Sequence, residues 1–200
     1  ILESTGLRVL GNAEWNRGPY KILLTKEPVL STKDMEGMPM RVPTNEVDLL
    51  AWGDGVGANT TPVPWPEAPL ALRQGLVKAI ELPADLVRPI KFYESAKYLT
   101  LTRHRHQALY MTIGDKAWQG LTDKQRSILM EASLEAGAGY TQAVQKVWAR
   151  DREFLKSQGV VIVDIDVTPW HKRIGELAQK LEAKGTWDKG LLSKLLALAK

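Results

Sequence analysis

Gly37-Met-Pro-Met-Arg-Val-Pro-Thr44 is the stretch from which the fold can be read, because it places one arginine, Arg41, at the end of a short apolar strand. Pro43 has no backbone N–H, so the strand must stop or leave its sheet there, and Thr44-Asn45-Glu46 then reads as the start of a helix. Arg41 therefore sits near a strand-to-helix corner. In α/β folds ligands are held at that corner, outside the carboxyl ends of the strands. A planar guanidinium with five donors matches a carboxylate as a two-pronged fork, so a small organic anion is the ligand this pattern favours. The plain alternative is an arginine exposed or paired for structure alone.

On the amino-terminal side, residues 6–10 and 21–25 are short apolar strands. The polar and aromatic loop between them, with Trp15, Arg17 and Tyr20 leading to Lys21, is of the kind that lines a site. Ser31 or Thr32 can cap a short helix that Gly37 ends. On the other side, Thr44 to Trp52 reads as a helix with Val47, Leu50 and Ala51 on one face. An extended segment at 60–64 follows, then a helix from Pro66 to Gly75, a strand from Leu76 to Leu82 stopped by Pro83, and a helix from Asp85 through Tyr93. Strand and helix alternate, which predicts an α/β layer with parallel strand pairs.

Residues 97–102 and 108–113 read as two crossing strands. Between them lies Arg103-His104-Arg105-His106. Two histidines at i, i+2 on an extended backbone point the same way, but the arginines repel a cation, so a solvated strand end is expected rather than a metal site. Thr122 with Gln125 has the form of a capping box, and the helical pattern beyond it runs to Ser157. Ile128, Leu129, Ala132, Ala136, Tyr140, Ala143, Val147, Phe154 and Leu155 supply its apolar stripe, with Gly137 and Gly139 as a bend. A helix of about 35 residues is about 50 Å long, so it is expected to cross between two lobes. A strand at 159–164 and helices at 169–183 and 189–199 close the chain. The last is leucine-rich and needs a partner surface.

Composition sets the outer limits. With 200 residues and 44% hydrophobic content the chain can bury a sizeable core. There is no cysteine, hence no disulfide, thiolate nucleophile or sulfur-based zinc site. The 27 basic and 23 acidic residues are interleaved, which argues against nucleic acid as a partner. Nucleophile elbow, glycine-rich phosphate loop and His-Glu-x-x-His spacing are all missing, which argues against an enzyme, and no cofactor is expected. An enzyme would have to use His104 or His106 as a base, oriented by Asp115 or Glu94.

The order of these signals resembles the solute-binding proteins of tripartite ATP-independent periplasmic (TRAP) transporters. The pieces are Gly6-Leu-Arg-Val-Leu-Gly11 with Trp15 and Gly18, Thr32-Lys-Asp-Met-Glu-Gly37, Met40-Arg-Val-Pro43, Gly57-Ala-Asn-Thr-Thr-Pro-Val-Pro64, Ala71-Leu-Arg-Gln-Gly75, Glu81 and Pro83, Phe92-Tyr-Glu94, Lys97-Tyr-Leu-Thr-Leu-Thr102, and Ile113 to Leu121 before the long helix. The resemblance implies a two-lobed α/β periplasmic-binding-protein-like fold, with 1–20 as a remnant of the first lobe and crossover, and 21–100 as the α/β ligand-binding lobe. Crossing strands at 101–121, a lobe-spanning helix at 122–157 and a carboxyl-terminal strand and helices at 158–200 complete it. It also implies periplasmic residence, a small organic acid as ligand and membrane permease subunits as partners. Arg41 would clamp the ligand carboxylate and Trp65 would line the pocket.

The chain departs from the family pattern in ways that bear on the ligand. Where the family commonly has a second arginine, this chain has Tyr20 and Lys21, with Arg17 nearby. The family's asparagine before the proline is replaced by Leu82, so one polar contact is lost and a ligand less polar than a sugar acid is implied. Glu81 is expected to orient Arg41. Relatives carry roughly a hundred further residues ahead of Gly6, so the first lobe is expected to be incomplete here, with a homodimer as one way of completing it. A module of the same fold that has lost its ligand, kept as structure or sensor, is the alternative function.

Overall fold

The computed structural model describes residues 5–17 and 21–198, the side chains of 12–14 excepted. Two sheets are present among them. A six-stranded sheet has the order β4-β3-β5-β2-β6-β8, and a two-stranded antiparallel sheet pairs β1 with β7. The strands are β1 (Leu7–Asn16), β2 (Lys21–Thr25), β3 (Pro39–Val42), β4 (Asn59–Pro62), β5 (Ala79–Pro83), β6 (Tyr98–Thr100), β7 (Ala108–Gly114) and β8 (Val161–Val163). The chain thus enters the large sheet after β1 and leaves it after β6.

Parallel pairing holds for β3 with β4 and β5, and for β6 with β8. At the centre, β2 runs antiparallel to both β5 and β6, so the sheet is mixed rather than purely parallel. Lys21-Ile-Leu-Leu-Thr25 is buried at every position because both faces of the sheet are covered. Ile22, Leu24, Ile80, Leu82 and Leu99 belong to one core cluster with Leu72 and Leu155. Leu23, Met40, Val42 and Ala79 belong to the other, with Trp52 and Trp170.

The helices are α1 (Glu46–Leu50), α2 (Ala68–Gln74), α3 (Asp115–Gln119), α4 (Asp123–Ser157), α5 (Thr168–Ala183) and α6 (Leu191–Leu198). Asn45, not Thr44, caps α1, accepting from the Asp48 N–H at 2.9 Å. A π-helical turn over Ala51–Gly55 follows it directly and changes the phase of the helix. Val47, expected to face inward, is exposed, whereas Asp48 and Trp52 are buried. Between Asp85 and Tyr93 there is no regular helix, only 3₁₀ turns over Ala84–Leu86 and Phe92–Glu94. Pro89 supplies no donor, and Lys91 adopts a φ of 59°.

The long helix α4 has 35 residues and the expected capping box at Thr122 and Gln125. Its buried positions are Ser133, Gly137, Val144, Asp151 and Leu155; of the expected stripe Leu155 alone is among them, and Ile128 is exposed. Small residues let β1 lie close. The Ser133 hydroxyl donates to the Leu10 carbonyl at 2.9 Å, and a Cβ on Gly137 would stand 2.8 Å from the Trp15 indole nitrogen. At the far end of α4, Asp151 pairs with Arg88 at 2.7 Å and Leu155 enters the core of the large sheet. One helix thus packs on both sheets.

Candidate anion-binding cleft

The ends of β3 and β5, the start of β2 and the turn before α2 enclose a cavity of about 360 Å³, lined by Arg17, Lys21, Arg41, Pro43, Trp65, Glu81, Pro83, Leu86 and Gln107. Its position follows from topology. The carboxyl ends of the parallel strands β3, β4 and β5 open there, and Pro43 and Pro83 end two of them.

Arg41 is 3% exposed. Its Nε donates to the Val63 carbonyl at 2.9 Å and its guanidinium lies over the Trp65 ring, 5.4 Å from the centroid. Burial pulls its pKa down while the charges of Glu81 and Asp48 hold it up; with a guanidinium the group stays cationic. Among the described residues its two terminal nitrogens have no hydrogen-bond partner. The fork is anchored at its base and open at its tip.

The other charges are compensated. Lys21 Nζ stands 2.8 Å from Glu81 Oε2 and 3.0 Å from Oε1, both residues being buried. Arg17 Nε lies 3.4 Å from Asp85 Oδ2. Glu81 is therefore held by Lys21, not placed as a direct partner of Arg41, because on β5 it sits two residues from the Pro83 that pairs with Lys21 across the ladder. His104 Nε2 is 3.5 Å from Glu81 Oε2, and His104 Nδ1 meets the Thr102 hydroxyl at 2.7 Å. Burial alone would raise the Glu81 carboxyl; the His104 contact and the Lys21 charge outweigh it and bring its pKa to about 2. Burial likewise pulls the His104 imidazole down against the pull of Glu81.

Arg103, His104 and Arg105 do not form a solvated strand end. Arg103 reaches Asp164 at 2.8 Å and Arg105 reaches the buried Asp48 at 2.7 Å. Among the described residues no cluster of histidine and carboxylates has metal-site geometry. As for an enzymatic pairing, His104 lies against Glu81, while Asp115 pairs with Arg8.

Of the site residues expected from the sequence, Arg41, Trp65, Arg17, Lys21 and Glu81 come together on this cavity. Trp15 does not join them. Its indole N–H donates to the Ser133 carbonyl at 3.1 Å and its ring lies 5.6 Å from that of Tyr140, so it packs β1 against α4. Leu82 is wholly buried in the core. Tyr20 lies outside the described residues. Missed were Gln107, which lines the cavity, and Asp85, which pairs with Arg17 behind it. Nothing local in the sequence marks Gln107; it reaches the cleft because its carbonyl accepts from the Arg17 N–H at 2.9 Å.

A mixed α/β unit with a cavity at its strand ends has the form of a ligand-binding cleft. The chain belongs to the family described as bacterial extracellular solute-binding protein, family 7, whose match covers residues 1–184. A solute-binding protein of Roseobacter denitrificans is 30% identical over 166 residues, which is 83% of this chain and 50% of that protein. The structure of a TRAP periplasmic solute-binding protein from Ochrobacterium anthropi with bound L-fuconate superposes with a TM-score of 0.84 at 26% identity, covering 98% of this chain and 63% of that one. A TRAP periplasmic solute-binding protein from Fusobacterium nucleatum, with bound sn-glycerol-3-phosphate, gives 0.85 at 28% identity, covering 98% and 61%. The chain spans about half the length of the curated relative and about six-tenths of these solved structures. The family is one of periplasmic binding proteins for transport, not of enzymes, and no described helix is long and apolar enough to cross a membrane.

Proposed function

We propose that the cleft captures a small organic acid with a single carboxylate, for delivery to the membrane components of a TRAP transporter. The observation that carries this reading is the charge balance of the cavity. Lys21 is paired with Glu81 and Arg17 with Asp85, which among the described residues leaves Arg41 as the cation of the lining without a carboxylate partner. One negative charge completes the site. A second would enter a partly desolvated cavity without a counter-charge, where it is costly. The aromatic face of Trp65 and the apolar edges of Pro43, Pro83 and Leu86 exclude water around the ligand.

Leu82 in the core contributes no polar group, and this supports a ligand with fewer hydroxyls than L-fuconate. Gln107, which lines the cavity, is the neutral polar side chain beside the ligand. Calorimetric and thermal-shift titration with simple and hydroxylated monocarboxylates, dicarboxylates, sugar acids and glycerol phosphate is the test. Stabilisation by a monocarboxylate, abolished in Arg41→Ala, is the expected outcome. Sugar acids binding far more tightly than monocarboxylates would overturn the assignment of ligand polarity. No shift with any acid would leave a ligand-less module of the same fold.

A further inference from the structure

We infer that Glu81 fixes the number of charges the cleft accepts: its carboxylate occupies Lys21, a second cation that otherwise would receive the far carboxylate of a dicarboxylic acid. The inference rests on the reading of the cleft as a carboxylate site and names the residue behind its charge limit. The placement of the three charges follows from the sheet. Arg41 pairs with Ile80 on β5, and its guanidinium goes to the face of the sheet that carries Val63 and Trp65. Glu81, the next residue on β5, points to the opposite face. Lys21 joins it there, because it lies two residues before Leu23, the ladder partner of Glu81. Ile80 and Leu23 accordingly belong to different core clusters. The two faces meet at the strand ends, where Arg41, Lys21 and Glu81 line one cavity. A ligand there has a cation on each side, and the one contributed by Lys21 is already paired.

Burial makes that pairing decisive. Lys21 is 8% exposed and Glu81 2%, and Lys21 Nζ reaches both carboxylate oxygens, at 2.8 and 3.0 Å. With its pKa brought to about 2, Glu81 is an anion throughout the neutral range. His104, 3.5 Å from Glu81 Oε2, is pushed by burial below the ordinary imidazole value, so at neutral pH it adds no charge to the pair. An ammonium this deep stands without an anion only at a large desolvation cost. Removing the charge of Glu81 leaves Lys21 buried and unanswered beside the cavity, and a second carboxylate on the ligand answers it. Lys21 is thus a latent anion site, and Glu81 is its resident anion.

The test is isothermal titration of the 200-residue chain with butyrate and succinate, acids of equal chain length with one and two carboxylates, at about pH 8, where both are ionised. Glu81→Gln is expected to raise the affinity for succinate relative to butyrate by about tenfold or more, as one added charge-assisted hydrogen bond does. Its melting temperature is expected to be restored further by succinate than by butyrate. Glu81→Gln with Lys21→Met puts a neutral pair in place of the ion pair and is expected to return the ratio to that of the wild type. A measurement on the wild type needs no variant: succinate is expected to bind there only with uptake of a proton, seen as a binding heat that varies with the ionisation enthalpy of the buffer. An unchanged ratio in Glu81→Gln, a rise that the double variant keeps, or succinate binding to the wild type without a proton would overturn the inference. A wild type that binds neither acid, with Glu81→Gln binding succinate, would instead end the single-carboxylate reading and uphold the role of Glu81.

Discussion

At the residue scale the cleft depends on which charges are already answered. Replacing Arg41 by alanine removes the open fork and is expected to weaken carboxylate binding by about 2–5 kcal/mol in calorimetry. Arg41→Lys keeps the charge but loses the two-pronged geometry, and is expected to recover only part of the affinity. Glu81 gives a pH dependence of defined sign. Its folded pKa of about 2 lies below the ordinary 4.5, so its contribution is complete above pH 4.5 and is lost as the pH falls toward 2. That contribution is about 3 kcal/mol. Glu81→Gln is expected to lower stability near neutrality and to flatten the acid limb of a denaturation profile over that window. An unaltered acid limb would show that Lys21 and His104 do not hold the carboxylate in solution. Arg41 itself was legible in the sequence because strand, arginine and proline are adjacent. The partners of Arg103, His104 and Arg105 were not, because Asp164, Glu81 and Asp48 are distant in sequence and only the folded sheet brings them near.

At the scale of elements, two glycines of α4 separate helix propensity from packing. Gly139 has open space where a Cβ would go, so Gly139→Ala is expected to stabilise by about 0.5–1 kcal/mol. Gly137→Ala has the same propensity gain but sets its methyl against the Trp15 ring and is expected to destabilise, by about 1–3 kcal/mol as overpacking does. Urea denaturation of the pair measures both, and equal signs would deny the close approach of β1. Leu155, wholly buried, is expected to cost about 2–5 kcal/mol as Leu155→Ala. The existence and ends of α4 could be read from its cap and length, but its buried face could not. A stripe of large apolar residues was the natural reading, whereas the helix meets β1 through serine and glycine, whose burial no periodicity of hydrophobic residues reveals. The phase of α1 was missed as well, since Asp48 rather than Val47 faces inward, paired with Arg105 from a distant part of the chain.

At the scale of the whole molecule, the alternation of strands and helices was enough for an α/β architecture with a helix bridging two sheets. The antiparallel insertion of β2 was not readable, because a strand buried on both faces looks the same in either direction. The passage of the chain between the sheets is doubled. The Arg17 N–H donates to the Gln107 carbonyl and the Lys21 N–H to the Arg105 carbonyl, tying the outgoing and returning segments side by side. If the chain were cut between His104 and Arg105, the first piece would hold β1 to β6 and the second β7, β8 and α4. Each sheet would then need both pieces, β1 with β7 in one and β6 with β8 in the other. Two such halves, produced separately, are expected to remain unfolded alone and to complement one another on mixing, because neither sheet is whole in either piece.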